Sequence, residues 1–171
     1  MSLPQPALLL PLDAPARRRL PILLRRAWYS LNQAFRRRIV HAGVTPDQFT
    51  VMRTLFEGDA NGLTQRVLAD LMSSDPNTIA SLLERMESAG LVDRRPHEQD
   101  RRARRIRLKP AGKRKYEEVR LIAVALQTEV LKALPEAKRE EFLAHLARVA
   151  DDCRVAADNS PKRPSSGGGP V

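Results

Sequence analysis

The stretch that decides the fold is Leu63–Leu108, which reads LTQRVLADLMSSDPNTIASLLERMESAGLVDRRPHEQDRRARRIRL. Its first ten residues predict a short helix, because Thr64 can cap free backbone N–H groups at the start of an apolar helical pattern. A turn at Ser73 and Ser74 follows. Three apolar residues are expected together on one face of this helix: Val67, Leu68 and Leu71.

The next segment, residues 75–89, predicts a second and longer helix. Asp75 suits the capping position, and Pro76 suits the first helical position, where a missing N–H costs nothing. Gly90 then ends the helix, as a glycine in the left-handed conformation does. Apolar residues at helical spacing form one stripe: Ile79, Leu82, Leu83 and Met86. Small or polar side chains occupy the other face: Asn77, Thr78, Ser81, Arg85 and Ser88.

After Gly90 the pattern changes from helical to alternating. Residues 91–96 and 104–108 are typical of two short strands, and a polar, highly charged segment, residues 97–103, separates them. Helix, turn, helix and an arginine-tipped hairpin is the layout of a winged helix-turn-helix. The sequence therefore predicts a mainly α domain with an α+β wing, in which the second helix reads DNA.

The flanking sequence predicts one domain with two tails. Residues 1–16 form a proline-rich arm, residues 17–156 form the domain with its DNA-binding lobe at about 45–109, and residues 157–171 form a disordered tail. Helices are expected at about 21–41, from Thr45 onward, from Pro110 onward, and after Pro135 to about Cys153.

The helices outside the lobe carry more apolar surface than one small core can cover. The helix over 21–41 has an apolar face, and the helix from Pro110 has a rhythm of threes and fours that suits packing along a partner helix. We therefore expect a two-fold homodimer that places two reading helices about one DNA turn apart and binds a palindromic operator. The first face holds Leu24, Ala27, Trp28, Leu31, Phe35 and Ile39, and the second holds Tyr116, Val119, Ala123, Leu126 and Val130.

The charge is concentrated beside the motif. The chain carries a formal net charge of +10, and residues 91–120 hold twelve Lys or Arg against five Asp or Glu, a difference of +7. Such a concentration suits contacts with DNA phosphates, although a basic surface is often only a solvated one.

Other classes of function find little support in the sequence. Cys153 is the only cysteine, so no intrachain disulfide forms, and a reducing, cytoplasmic location is expected. No apolar segment is long enough to cross a membrane. The three histidines lack metal-ligand spacing, and adjacent acidic pairs on helix surfaces point apart. We therefore expect no metal, no cofactor and no enzymatic activity.

The order and spacing of these segments resemble the MarR family of bacterial transcription regulators, from about residue 17 to residue 156. The resemblance implies an obligate homodimer that binds DNA in the cytoplasm, usually as a repressor released by a small aromatic or phenolic effector. Lys109 departs from the pattern, since the family usually has a threonine that caps the following helix. The segments that carry the resemblance are residues 68–71, 77–94, 100–102 and 108–112.

Candidate DNA-binding residues lie on the second helix and on the wing. On the helix, Asn77, Thr78 and Ser81 are expected at base edges in the major groove, and Arg85 at a phosphate. On the wing, the resemblance implies that Arg102 enters the minor groove, with Asp100 bracing the loop and Arg101 sharing either task. Solvated surface is the alternative for each. Further phosphate candidates are Arg94, Arg95, Arg104 and Arg105.

Two alternatives remain from the sequence. Trp28 is a weak candidate for an effector pocket, although a lone aromatic residue at helical spacing is more often core or dimer interface. The second functional class is a non-enzymatic protein-interaction or dimerisation module, since winged helices also serve that role inside enzymes. For a protein with that function, we would expect an attached catalytic domain and a wing that is not basic.

Overall fold

The computed structural model describes residues 14–15, 19–96 and 104–161. It has the expected winged helix-turn-helix fold, which is mainly helical with one small antiparallel sheet in the order β1-β3-β2. The elements are α1 (Arg19–Arg38), a 3₁₀ turn (Val40–Ala42), α2 (Pro46–Glu57), β1 (Leu63–Thr64), α3 (Gln65–Leu71), α4 (Pro76–Ser88), β2 (Val92–Pro96), β3 (Arg104–Leu108), α5 (Pro110–Leu131) and α6 (Glu136–Asp158).

Side-chain caps start the lobe helices at the residues that the sequence predicts. The hydroxyl of Thr45 accepts a hydrogen bond from the Gln48 N–H at 3.2 Å, and the Gln48 side chain accepts one from the Thr45 N–H at 2.9 Å. Thr64 caps α3 by accepting from the Val67 N–H at 3.3 Å. These bonds satisfy donors that the first turn of a helix leaves unpaired.

The predicted apolar face of α3 is wrong in part. Leu68 is buried, whereas Val67 and Leu71 are exposed, Leu71 to 63%. Val67 and Leu71 are four residues apart and therefore share one side of the helix, while Leu68 lies about 100° from Val67, toward the side that also buries Ala69. This seven-residue helix packs only that second side against the core.

The core of the lobe forms between α2, α4 and the sheet. All four apolar residues of the predicted α4 stripe are buried, and Gly90 has φ +70° after the helix, as expected. Helix α4 thus keeps its opposite face free. The core residues contributed by α2 and the sheet are Phe49, Val51, Met52, Leu55, Val92 and Ile106.

Helix α5 differs from the expectation for a partner-facing helix. Tyr116 and Val119 belong to the lobe's own core, and Leu126 is also buried. The first residues of this rhythm thus form an intrachain face, whereas its last residue, Val130, is 51% exposed. The exposed apolar side chains of this part of α5 are Leu121, 68% exposed, and Val124.

Helix α1 starts and ends two to three residues earlier than expected, and it is largely uncovered. It ends at Arg38, where a 3₁₀ turn follows, and no residue of the helix is buried. Phe35 packs against the core, and Ile39 just beyond the helix is buried. By contrast, Trp28 is 65% exposed, and Leu31 is also exposed. Half of the six residues of the predicted apolar face of α1 are therefore exposed in a single chain: Ala27, Trp28 and Leu31.

The chain divides into two compact units, residues 1–126 and 127–171. In the second unit, the Arg139 guanidinium donates to the carbonyls of Leu131 and Leu134 at 3.0 and 3.3 Å, which satisfies acceptors at the end of α5. Helix α6 continues to Asp158, five residues beyond the expected end at Cys153, and buries no residue. Within the described ranges, no helix has the length and hydrophobicity needed to cross a bilayer.

Candidate nucleic-acid interface

The start of α4 is organised by Asp75. Its Oδ1 accepts hydrogen bonds from the N–H groups of Asn77 and Thr78 at 3.0 and 2.9 Å, and the Thr78 hydroxyl donates to its Oδ2. That hydroxyl bond, more than the backbone bonds, lowers the pKa of Asp75 from its ordinary value. Because the Thr78 proton is engaged, this side chain can offer a base only an oxygen lone pair or its methyl group.

The four predicted contact residues of α4 share one exposed surface, the reading face, formed by Asn77, Thr78, Ser81 and Arg85. It lies opposite the buried stripe. Arg85 Nε donates to the carbonyl of Ser81 at 3.2 Å, one turn earlier on the same helix. The guanidinium is thus drawn back along α4 toward Ser81, beside the amide, hydroxyl and methyl groups of this face.

The junction between α3 and α4 is fixed by short-range hydrogen bonds. Ser74 N–H donates to the Ala69 carbonyl at 3.0 Å, and the Gln65 side-chain amide donates to the Pro76 carbonyl at 3.1 Å. Ser73 adopts φ +49°, a left-handed conformation that non-glycine residues rarely take. The sequence marks this position only as a turn.

The register of the wing determines which arginines face outward. Arg94 pairs with Ile106, and Val92 pairs with Leu108. Since alternate residues of a strand share a face, Arg94 lies on the inward face with Val92. Its side chain is 19% exposed, and its Nε lies 3.0 Å from Glu87 Oε2. Arg94 is therefore engaged with the end of α4.

The other wing arginines are held differently. Arg95 is well exposed, and its Nε donates to Asp93 at 3.0 Å. Arg104 is exposed at the start of β3. Arg105 is partly buried and donates to the Gly62 carbonyl at 2.8 Å, with Asp59 Oδ2 at 3.6 Å. Arg105 thus holds the loop before β1 against the sheet.

The predicted wing-tip residues lie outside the described ranges: Asp100, Arg101 and Arg102. Their assignment stays a prediction. Two groups that contact wing arginines, Glu87 and the Gly62 carbonyl, were not identified from the sequence. The alternation of strand β2 did carry a signal for the first, because it places Arg94 on the inward side with Val92.

A polar and aromatic cluster connects α2 with α5. The Tyr116 hydroxyl donates to Glu57 Oε1 at 2.9 Å, and Arg53 Nε donates to Glu57 Oε2 at 3.0 Å. The Tyr116 ring lies 5.7 Å from the Phe49 ring and 4.6 Å from the Phe56 ring, centroid to centroid. This cluster therefore joins α5 to the end of α2, which precedes the loop held by Arg105.

The same contacts shift two pKa values in opposite directions. The hydrogen bond from Arg53, followed by that from Tyr116, lowers the pKa of Glu57 from its ordinary 4.5. Burial, followed by the hydrogen bond to Glu57, raises the pKa of Tyr116 above its ordinary 10.0. Near neutral pH the carboxylate is therefore charged and the phenol is protonated, which is the pairing that the geometry requires.

We expect Glu57→Gln to destabilise the protein near neutral pH and to lose this effect in acid. A carboxylate whose pKa is lowered by folding stabilises the folded state above about pH 4.5, and this contribution disappears as the pH falls through the folded-state pKa. The difference should stay below about 1 kcal/mol because the side chain is half exposed. The midpoints of urea unfolding between pH 7 and pH 3 measure this difference in stability between the variant and the wild type. Glu117→Gln on α5 is the control. A difference that does not change with pH would contradict this prediction.

The remaining candidates contribute less to the site. Trp28 lies exposed on α1, and its role in effector binding stays a prediction. Across the described ranges, no group of three or more His, Cys, Asp or Glu side chains is arranged to hold a metal ion. Cys153 is an exposed free thiol on α6.

Comparison with known proteins agrees with this geometry. A family model described as the MarR family matches residues 44–103. The fold is similar to Staphylococcus aureus MepR in a complex with DNA, with a TM-score of 0.71, 22% identity and coverage of 78% of this chain and 97% of that one. CouR from Rhodococcus jostii RHA1, bound to p-coumaroyl-CoA, has a TM-score of 0.68 and 24% identity, with coverage of 77% of this chain and 91% of that one. The transcriptional regulator PA3341 has a TM-score of 0.69 and 28% identity, with coverage of 78% of this chain and 97% of that one. No curated protein sequence matches the chain.

Proposed function

Because residues 44–103 match the MarR family model and the fold is a winged helix-turn-helix, we propose that the protein is a dimeric, sequence-specific DNA-binding transcription regulator. The reading face is the observation that carries this proposal. A capped helix with a buried apolar stripe and an exposed face of amide, hydroxyl and guanidinium groups suits insertion into a major groove.

Base contacts and phosphate contacts are made by different side chains of the lobe. Asn77 and Ser81 present short polar groups that suit base edges, while Arg85, Arg95 and Arg104 present exposed positive charge that suits phosphates. The wing tip, with Asp100, Arg101 and Arg102, adds a minor-groove contact in this proposal. MepR, whose fold is similar, has been seen in a complex with DNA.

Homodimerisation is supported by uncovered apolar side chains. Trp28 and Leu31 on α1 and Leu121 on α5 are all exposed in the single chain. Exposed apolar side chains are buried favourably when two copies associate, and two-fold symmetry then presents two reading helices to one duplex. A palindromic operator follows from that symmetry.

Regulation by a small effector completes the proposal. CouR is bound to p-coumaroyl-CoA in its structure, and a repressor of this class responds when a ligand binds better to a dimer whose lobes no longer fit the operator. For this chain we propose that a small, aromatic or phenolic molecule releases the protein from its operator DNA. Because its target is chromosomal DNA, the proposed location is the cytoplasm.

A non-enzymatic interaction module is the alternative function. It would use the exposed apolar side chains but has no need of an exposed polar reading face beside a basic sheet. The net charge of +7 carried by residues 91–120 therefore favours the DNA-binding function over this alternative.

Selection from a pool of random duplexes tests the proposed function. Purified full-length protein should enrich a palindrome with half-sites about one helical turn apart. Sedimentation should give twice the 19.2 kDa chain mass, alone and on the selected duplex. Failure to enrich any sequence, together with no salt-dependent shift of DNA in a gel, would leave the interaction module as the better function.

A further inference from the structure

We propose that Glu87 is a positioning residue for DNA binding, and that its ion pair with Arg94 fixes wing strand β2 to the end of the reading helix. This inference rests on the proposed function, since it concerns how the wing is placed for DNA. It assigns Arg94 to the support of the wing instead of to a phosphate.

The pair spans the tight turn that joins the helix to the strand. Glu87 is the last but one residue of α4, and Arg94 lies two residues into β2 from its first residue, Val92. Backbone hydrogen bonds close the turn, from Gly90 N–H to the Glu87 carbonyl and from Leu91 N–H to the Met86 carbonyl, both at 2.9 Å. The side-chain pair therefore adds a second link across a turn that the backbone already defines.

The burial of Arg94 makes its partner necessary. With 19% of the side chain exposed, Nε and Nη2 are shielded from solvent and have no hydrogen-bond acceptor among the described residues. The Glu87 carboxylate at 3.0 Å supplies the opposite charge, although the geometry is that of an ion pair and not of a hydrogen bond. A guanidinium so poorly hydrated is costly to leave without a counter-charge.

The neighbouring strand is held from the other side. Arg105 on β3 donates to the Gly62 carbonyl and lies near Asp59, so β3 is tied to the loop before the helix-turn-helix. One arginine thus fixes the edge strand β2 and another fixes the central strand β3. Arg95 and Arg104 lie at the end of the strands next to the connecting segment 97–103, and they remain exposed and able to contact DNA.

The direction of the mutational effect separates this role from a simple charge. Removing an acidic side chain near a DNA-binding surface normally raises affinity, because a repulsion with phosphates is lost. If Glu87 positions the wing, Glu87→Ala should instead lower affinity for the specific sequence. Glu84→Ala, which removes the same charge from an exposed position of the same helix, is the matched control.

The test uses full-length protein and a duplex enriched from the random pool by the wild type, with a scrambled duplex of equal length beside it. We expect Glu87→Ala to weaken binding to the enriched duplex on the order of tenfold and to change binding to the scrambled duplex much less. Glu84→Ala should bind as tightly as the wild type or tighter. The double exchange Glu87→Arg with Arg94→Glu should recover part of the loss, because the pair is restored with its charges reversed.

A measurement without DNA keeps the inference separate from the proposed function. Hydrogen exchange of the amides in β2 should be faster in Glu87→Gln, which keeps the shape but loses the charge, than in the wild type. Equal exchange in the two proteins, or tighter specific binding by Glu87→Ala, would overturn the positioning role. A wild type that enriches no duplex would overturn the proposed function and leave the exchange result as the test of the ion pair.

Discussion

Gly112→Ala is expected to cost about 3 kcal/mol of folding free energy. A Cβ at this position would lie 2.2 Å from the Leu91 carbonyl oxygen and 3.0 Å from Leu108 Cδ2. The carbonyl cannot easily move, because it also accepts the hydrogen bond from Lys109 N–H at 3.0 Å. Helix α5 must therefore shift away from the wing to admit the methyl group.

The sign of the change makes the prediction sharp. Alanine is favoured over glycine inside a helix by about 1 kcal/mol, so without the clash the same substitution would stabilise the protein. Gly90→Ala is a useful control, since a Cβ there meets nothing within 4 Å and only the positive φ of +70° is strained, for about 1 kcal/mol. Urea unfolding at one fixed protein concentration measures the change in the free energy of unfolding for both variants. A Gly112 variant as stable as the wild type would mean that α5 does not approach Leu91 so closely.

Local signals were sufficient to predict the helix caps of the lobe and the buried face of α4. The α4 stripe from Ile79 to Met86 follows a single helical period, and Asp75 and Thr64 are capping residues whose chemistry acts within three positions of the chain. Such features depend on neighbours in sequence, and their consequences appear in the structure as predicted. The exposure of the reading face then follows, because the stripe fixes which side of α4 is buried.

Features that depend on distant partners were harder to predict. The rhythm of α5 indicates an apolar face but cannot say whether that face meets the same chain, and Tyr116 and Val119 in fact pack into the lobe's own core. The same limit applies to α3, where a seven-residue helix with apolar residues around much of its circumference gives no unique inward side. In each case the choice is made by tertiary packing.

Charge gave the least specific prediction within the site. The arginines of the wing look alike in sequence, yet Arg94 pairs with Glu87, Arg105 holds the Gly62 carbonyl, and Arg95 and Arg104 stay exposed. Strand alternation could have separated Arg94 from Arg95, but the acceptor of Arg105 lies 43 residues earlier in the chain. The density of positive charge thus predicts a class of partner, whereas individual roles require the register.

Arg102→Ala should weaken binding to the enriched duplex by roughly tenfold to 100-fold while leaving the dimer intact. The residue lies outside the described ranges, and its proposed role comes from the resemblance of residues 100–102 to the wing of MarR regulators. An arginine in a minor groove gains from the enhanced negative potential there, and alanine has no group that replaces this interaction. Fluorescence anisotropy titrations at several salt concentrations, with sedimentation of each variant, measure the effect.

Arg148→Ala provides the matched control, because it removes the same charge from an exposed position of α6 in the second unit. A wing contact predicts a large loss for Arg102→Ala, a decrease of about one in the slope of log K against log salt, and a change below about twofold for Arg148→Ala. Equal losses in the two variants would mean that net charge alone attracts the DNA. Unchanged affinity of Arg102→Ala would remove this arginine from the interface and leave the reading face of α4 as the main source of specificity.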